Sequence, residues 1–315
     1  MNKNYISSQV YNRIHVNSIN MSYAGLLSSG GIGFSIDYSP VTVEVTLTSQ
    51  SVNSCSGFCN QRLENILNNL STKYNLPIRG WIIQVTNPLR PHIGLGSTTQ
   101  VEAQILTSLM KLGSDKQPKY LDFIDNRIGV ESGIGLKCFL QNGFHIDFGY
   151  WRNHEERGSL NSTHAATKSI CLQIPEEWRV LLMIPKYHSS VSGSLESAFW
   201  ERIIPVDESD AHKISFHILM GIIPSILENR FTEFIHSMNT ISELGTKPEE
   251  RRLNNKFIHS LYEDVKTVFG FCGLSSLGPS CYAFYVNNES SNQFLNEIKN
   301  RHEDYLFIQS RIVYE

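Results

Sequence analysis

The pattern of apolar and polar positions predicts alternating strands and helices in the first half of the chain. Residues 42–47 alternate strictly, which predicts a half-buried strand, and residues 80–86 predict a second one. Apolar residues at helical spacing follow each strand, first Leu63, Ile66, Leu67, Leu70 and Tyr74, then Val101, Ile105, Leu106, Leu109 and Met110. Residues 134–140 and 144–148 flank Gln141-Asn142-Gly143, so a β-hairpin with an Asn-Gly turn is predicted there.

The second half repeats this mixture, so the predicted fold class is α+β. An apolar run at residues 178–184 predicts a buried strand, and helical patterns follow near 194–203, 210–228, 231–243 and 249–269. Strands at 282–286 and 305–308 bracket a helix at 291–301, and residues 311–314 have a strand pattern. Between residues 150 and 167 the chain is polar, as in an active-site loop or a linker. The boundary is placed near Ile174, giving an N-terminal domain at 1–174 and a C-terminal domain at 175–315.

Composition narrows the functional classes. The chain has 315 residues, 41% hydrophobic and 18% charged, and its net charge of −3 argues against a general nucleic-acid or membrane-surface binder. We expect a cytoplasmic protein, because neither a signal-length apolar N-terminus nor a membrane-length apolar run occurs. Six dispersed cysteines lack zinc-site spacing, so buried or incidental thiols are expected.

A glycine-rich segment after the strand at 80–86 is the best candidate for a ligand site. It begins at His92 and continues through Gly94, Leu95, Gly96, Ser97, Thr98, Thr99 and Gln100 into the helix that follows. Glycine allows close backbone approach, and the free N–H groups of a first helical turn favour an anion such as phosphate. The alternative is an ordinary turn with a glycine C-cap and a Ser/Thr N-cap.

Four segments together resemble the β-ribofuranosylaminobenzene 5′-phosphate synthase family, a branch of the GHMP-kinase superfamily that includes related C-nucleotide synthases. They are Arg13-Ile14-His15 leading to Gly30-Gly31-Ile32-Gly33; His92 to Gln100; Ser132-Gly133-Ile134-Gly135 leading to Gly143-Phe144-His145-Ile146-Asp147; and Ser275-Ser276-Leu277-Gly278-Pro279-Ser280. The resemblance covers nearly the whole chain, through the order and spacing of these segments.

The resemblance implies a GHMP-kinase-like fold of two domains, the first similar to domain 2 of ribosomal protein S5 and the second ferredoxin-like. It implies joining of phosphoribosyl pyrophosphate to a carbon of an aromatic or heteroaromatic acid, with loss of pyrophosphate and CO2. It also implies magnesium as cofactor and a homodimer. The metal ligands are not identified by the sequence.

Residue roles follow from this chemistry. The pyrophosphate must be held while positive charge grows on the ribose anomeric carbon, so residues 94–100 are assigned to the pyrophosphate and Asp147 is the candidate catalytic carboxylate. An aspartate that caps the turn at Gly149 is the alternative. Other substrate-binding candidates are Arg13, His15, Gly31, His92, Ser132, Gly133, Ser275 and Ser276. Arg13, His15, Arg90 and Arg152 are the basic groups available for the acceptor carboxylate, and the Ser275-Ser276 segment alternatively forms only a tight turn.

The chain departs from the family pattern at charged positions. Asn20, Leu27 and Ser29 stand where the family has an acid, an arginine and a second acid, which should weaken binding of charged ligands. Val130 and Glu131 replace basic residues, and Thr98 replaces a glycine. Three hypotheses therefore remain: a C–C-bond-forming phosphoribosyltransferase, a small-molecule kinase that uses ATP, and a ligand-binding protein without catalysis.

Overall fold

The computed structural model describes residues 4–22, 24–51, 53–58, 61–73, 80–129, 133–151, 168–188 and 193–314. The first half contributes a seven-stranded sheet and four helices to this part of the chain. Its strands are β1 Tyr5–Asn20, β2 Leu27–Thr48, β3 Asn53–Ser56, β4 Gly80–Thr86, β5 Phe144–Asp147, β6 Tyr150–Trp151 and β7 Ser169–Leu172. Its helices are α1 Gln61–Lys73, α2 Ser97–Ser114, α3 Tyr120–Asp125 and α4 Gly133–Leu140.

The long strand β2 organises this sheet, whose main path is β3-β4-β2-β5-β7. β1 runs antiparallel to almost all of β2, β4 pairs with the C-terminal part of β2, and β5 pairs with residues 31–34. Because β5 ends beside Gly31, the glycine-rich start of β2 lies next to Asp147.

The second half adds an antiparallel sheet in the order β11-β8-β10-β9 and several helices. The strands are β8 Trp178–Pro185, β9 Gly273–Leu274, β10 Cys281–Val286 and β11 Tyr305–Ser310. The helices are α5 Ser194–Ile203, α6 Glu208–His217, α7 Ile223–Leu227, α8 Phe231–Ile241, α9 Lys247–Phe269 and α10 Glu289–Arg301, with a π-helical turn at Ile218–Ile222 between α6 and α7.

The two sheets share a core. Phe34 of β2 lies 5.8 Å from Phe144 of β5 and 5.3 Å from Phe284 of β10, measured between ring centroids. β8 is buried on both faces: Val180 and Leu182 enter the shared core, whereas alternate residues pack against α9 and α10. Packing between the halves thus fixes the position of the segments that come from each.

Two predictions about local structure were wrong. Residues 133–140 form α4 rather than the first strand of a hairpin, and only Ile312 of residues 311–314 makes a bridge, to Ile36. β5 already lies between β2 and β7, so no sheet edge is left for a strand at 134–140. The other predicted strands and helices are present. Residues 42–47 form only the end of the much longer β2, and the helix predicted near 210–228 is divided by the π-helical turn. The remaining elements differ from the prediction only by small shifts at their ends. Tyr74 and residues 152–167 of the polar segment lie outside the described residues, and the domain boundary at residue 174 stays a prediction.

Candidate functional site

The glycine loop between β4 and α2 holds the residues predicted to bind phosphate. Gly94 and Gly96 have φ of 91° and 65°, a region that other residues rarely adopt. Gly96 is the N-cap residue of α2, and no side-chain hydrogen bond caps this end of the described helix. Because α2 runs for 18 residues, its N–H groups and dipole present a positive end at Ser97. The predicted helix start is confirmed.

The carbonyl groups of the loop are held toward the protein. The Gly94 carbonyl accepts a hydrogen bond from Arg13 Nη1 at 3.1 Å and another from Ser275 Oγ at 2.7 Å. The Leu95 carbonyl accepts from the Arg13 backbone N–H at 3.0 Å. In a trans peptide the N–H points opposite to the C=O, so the N–H groups of Leu95 and Gly96 point away from these partners. This orientation suits an anion.

Arg13 lies beneath the loop. Its side chain is buried, and its Nε has no hydrogen-bond partner among the described residues. A Cβ atom on Gly96 would come within 2.7 Å of that Nε, so glycine is what lets the loop rest on the guanidinium. Burial lowers the pKa of Arg13 to about 10, which leaves it charged at neutral pH. A buried cation under the loop further favours an anion above it.

The turn at residues 275–280 closes the loop from the other half of the chain. Ser275 Oγ accepts from the His15 N–H at 3.1 Å, and the Ser276 N–H donates to the His15 carbonyl at 3.3 Å. A Cβ atom on Gly278 would overlap the backbone of Gly94. Burial lowers the pKa of His15 well below its usual value, so its imidazole is neutral. β1, the loop and this turn therefore form one packed unit.

Asp147 lies at the end of β5 in a second polar cluster. It is 2% exposed, and the Gly149 N–H donates to its Oδ1 at 3.4 Å, so the turn interaction considered from the sequence is present but long. A Cβ atom on Gly133 would overlap Oδ2, which places the carboxyl against the N-terminus of α4. Burial raises the pKa of Asp147 to about 6, while the charge of Lys137 works in the opposite direction.

Two tyrosines lie near this carboxyl, Tyr120 at the start of α3 and Tyr150 in β6. Burial raises the pKa of both phenols, and the charge of Asp147 adds to the rise. The Lys137 Nζ lies 5.2 Å from the centroid of the Tyr120 ring. The cluster therefore combines a carboxyl that can gain or lose a proton near neutral pH with phenols that stay protonated.

The loop and the Asp147 cluster are joined by α4 and β2. Gln100 Nε2 donates to the Gly135 carbonyl at 2.6 Å, which ties α2 to the first turn of α4. Gly31 pairs with Asp147, and a Cβ atom on Gly31 would come within 3.2 Å of His15 Nε2. The structure thus assembles the sequence segments around one region.

The remaining loop residues line the first turn of α2. Leu95 and Ser97 are buried, Thr98 and Thr99 are half-buried, and a Cβ atom on Gly135 would come within 3.2 Å of Thr99 Cγ2. The side chain of Thr98, which replaces the glycine of the family, therefore remains partly accessible.

Other candidates lie apart from this region or outside the described residues. Arg90 is exposed and its Nη1 donates to the Lys186 carbonyl at 3.0 Å. His92 is exposed, with a positive φ of 62°. Ser132 and Arg152 lie outside the described residues.

Asn20 performs a structural task where the family has an acid. Its Nδ2 donates to the carbonyls of Ala24 and Leu27, both at 2.8 Å, and so closes the turn between β1 and β2. A carboxylate has no N–H to make these bonds. Ser29, where the family has its second acid, has a positive φ of 62°.

Sequence reasoning missed Lys247 and Glu250 at the start of α9. Their side chains are 2% and 1% exposed, and Lys247 Nζ lies 2.6 Å from Glu250 Oε2. No signal in the sequence distinguishes them, because Lys247-Pro248-Glu249-Glu250 is a typical solvated start of a helix.

Magnesium has no preformed cage in the described residues, which contain no group of three or more His, Cys, Asp or Glu side chains suited to a metal. Magnesium typically binds one or two carboxylates and takes its other ligands from water and substrate phosphates. No helix in the described ranges combines the length and apolar character needed to cross a bilayer.

Comparison with solved structures defines the class of fold. Phosphomevalonate kinase from Streptococcus pneumoniae superposes with a TM-score of 0.71 over 98% of this chain and all of its own, at 12% identity. Homoserine kinase from Cytophaga hutchinsonii gives a TM-score of 0.59 over 99% of this chain and 96% of its own, at 15% identity. The protein therefore has the mixed α and β fold of the GHMP kinases, and the predicted fold is confirmed.

Comparison with sequence relatives indicates a narrower class of protein than the fold does. A β-ribofuranosylphenol 5′-phosphate synthase from Methanocaldococcus jannaschii is 27% identical over 293 residues, which is 88% of each chain. The synthase of that name from Methanothermobacter thermautotrophicus is 30% identical over 61% of this chain and 60% of its own. No family model matches the chain. The resemblance predicted from the motifs is confirmed, because the chain is similar in sequence to enzymes named β-ribofuranosylphenol 5′-phosphate synthase.

Proposed function

We propose that the protein is a C-glycoside synthase that joins the ribose of phosphoribosyl pyrophosphate to a ring carbon of an aromatic or heteroaromatic carboxylic acid. Pyrophosphate and CO2 are the leaving products. The observation that carries this proposal is the loop at Gly94–Gly96, whose carbonyls are held back by Arg13 and Ser275 while its N–H groups point the other way. The ribosyl 5′-phosphate and the aromatic ring of the proposed reaction are taken from the names of the sequence relatives.

In this proposal the loop and the start of α2 bind the pyrophosphate, which becomes more negative as its bond to the anomeric carbon breaks. Arg13 adds a positive field from beneath, and magnesium, when bound, shares the charge of the leaving group. Asp147 in its ionised form stabilises the positive charge that grows on the ribose. The ring carbon that bears the carboxyl attacks the anomeric carbon, and the bond to CO2 then breaks and returns its electron pair to the ring.

The acceptor follows from the same chemistry. The relatives are named for a phenol product, and loss of CO2 from a hydroxybenzoate at the coupled carbon leaves a phenol, whereas an aminobenzoate leaves an aniline. The two acids therefore form a discriminating pair of substrates for this chain.

The first experiment compares thermal stabilisation by phosphoribosyl pyrophosphate and by ATP, each with and without magnesium. Stabilisation by the ribosyl donor, followed by release of pyrophosphate and CO2 in equal amounts with one of the two acids, supports the synthase. Preference for ATP would favour the kinase alternative, for which fold similarity is the present support. Stabilisation without turnover on any acid would favour the binding protein.

A further inference from the structure

A buried ion pair in the second half of the chain lies outside the residues assigned above. Lys247 Nζ contacts Glu250 Oε2 at 2.6 Å, and Thr246 Oγ1 donates to Glu250 Oε1 at 2.6 Å. Burying two charges costs free energy that their attraction seldom recovers fully, so such a pair contributes little to stability compared with apolar residues of similar size. Stability of the fold therefore does not explain why this ion pair is present.

The pair is connected to the glycine loop by a short series of hydrogen bonds. Lys247 Nζ donates to the Leu274 carbonyl at 3.0 Å. The next residue, Ser275, donates through Oγ to the Gly94 carbonyl at 2.7 Å. Asn254, further along α9, donates to the Leu277 carbonyl at 3.2 Å and holds the other side of the same turn. α9 therefore holds the turn at residues 275–280, and this turn holds the glycine loop.

The charges in this region are unbalanced. Arg13 and Lys247 are both buried cations. Burial lowers the pKa of Lys247, the carboxylate of Glu250 opposes this change, and the charge of Arg13 adds to it. In the described part of the chain Glu250 pairs directly with Lys247 and no carboxylate pairs with Arg13, so one positive charge is left under the loop, and an anion bound above it would restore the balance.

We propose that Lys247, held by Glu250, is a positioning residue of the donor site: it anchors the Leu274 carbonyl and so keeps Ser275 bonded to Gly94. The inference rests on the proposed function of the loop as the pyrophosphate site. Lys247 acts through Ser275 and does not touch the donor. A purely structural pair would change the stability of the fold but not the affinity for pyrophosphate.

The test removes the pair without leaving a buried charge. The variant K247M/E250L replaces both residues by apolar ones of similar volume, an exchange that folded proteins commonly tolerate. Binding of inorganic pyrophosphate with magnesium is measured by calorimetry, well below the melting temperature. We expect the Kd to rise about tenfold, as for loss of one hydrogen bond to a charged group. The KM for the donor should rise while the KM for the acceptor stays unchanged.

The route through Ser275 is tested by a double-mutant cycle. S275A alone should also raise the Kd about tenfold, and its combination with K247M/E250L should raise it little further, because the changes act on one series of contacts. K266M is the matched control: Lys266 lies on the same helix and pairs with Glu243 at 2.8 Å, away from the turn. Its Kd should equal that of the unsubstituted protein.

Three results would overturn the inference while leaving the proposed function intact: an unchanged Kd in K247M/E250L, about a hundredfold additive loss in the combined variant, or an equal loss in K266M. Absence of pyrophosphate binding by the unsubstituted protein would instead overturn the donor-site assignment, and this inference with it.

Discussion

Asp147→Asn should make the protein more stable and less active at neutral pH. The Asp147 carboxyl is buried, and burial raises its pKa from 3.8 to about 6. Well below the unfolded pKa the carboxyl is neutral in the folded and the unfolded chain. As the pH rises from about 4 to 6, the unfolded chain releases this proton while the folded chain still holds it, so the free energy of unfolding falls.

The size of this fall is the pKa difference of about 2 multiplied by 1.36 kcal/mol, or about 3 kcal/mol. The side-chain amide of the variant has no charge to bury. The free energy of unfolding of the variant should therefore be about 3 kcal/mol higher than that of the unsubstituted protein above about pH 7, and the two should be about equal below about pH 3. For a chain of 315 residues, the entropy of unfolding converts this into a Tm difference of about 4–5 °C.

The assay is denaturant unfolding of both proteins at about pH 4 and about pH 8, together with steady-state turnover. Turnover in the variant should fall about 10²–10³-fold with little change in donor affinity, as for loss of one preorganised charge in a transition state. The acid limb of the pH–rate profile near the raised pKa should disappear. Equal stability differences at the two pH values would refute the assignment of a raised pKa, and unchanged turnover would remove Asp147 from the site.

Three further substitutions test the geometry. G96A places a Cβ atom 2.7 Å from Arg13 Nε at a φ of 65°, so it should cost about 1–3 kcal/mol of stability and weaken pyrophosphate binding measured by calorimetry; unchanged affinity would contradict the placement of the loop. G133A overlaps Asp147 Oδ2 and should lower kcat at least about tenfold while the donor Kd stays constant, and a loss confined to donor binding would argue against the role of Asp147. R13M removes the buried cation and should weaken pyrophosphate binding by about 2–3 kcal/mol, whereas equal binding would show that the loop amides suffice.

The sequence predicted most regular elements because they bury one face against a core. β4 and α2 follow their apolar patterns closely, and the phosphate-loop motif falls where glycine is needed by the backbone. α4 was mistaken for a strand because it and β5 flank Gln141-Asn142-Gly143, which has the sequence pattern of a hairpin turn. Gly133 and Gly135 let this short helix approach Asp147 and α2 closely. Residues on more than one face of the helix are therefore buried.

The parts of the site that the sequence did not reveal depend on tertiary contacts. Arg13 was considered as a ligand of the acceptor, yet the structure shows it bonded to the loop from beneath, an arrangement that only the pairing of β1 against the loop defines. Lys247 and Glu250 have the pattern of a solvated helix start, and they are buried because the turn at Ser275 covers them. Long-range packing, rather than the local sequence pattern, determines the burial and the contacts of such residues.

The bond from Ser275 to Gly94 joins residues 181 positions apart. During synthesis β1, β2, β4 and the loop all emerge long before Ser275, the residue that completes the arrangement of the loop. A nascent chain that ends before Ser275 therefore lacks one of the two side-chain bonds that orient the Gly94 carbonyl. The orientation of the Gly94 carbonyl is therefore completed only late in translation, when the C-terminal part of the chain has been made.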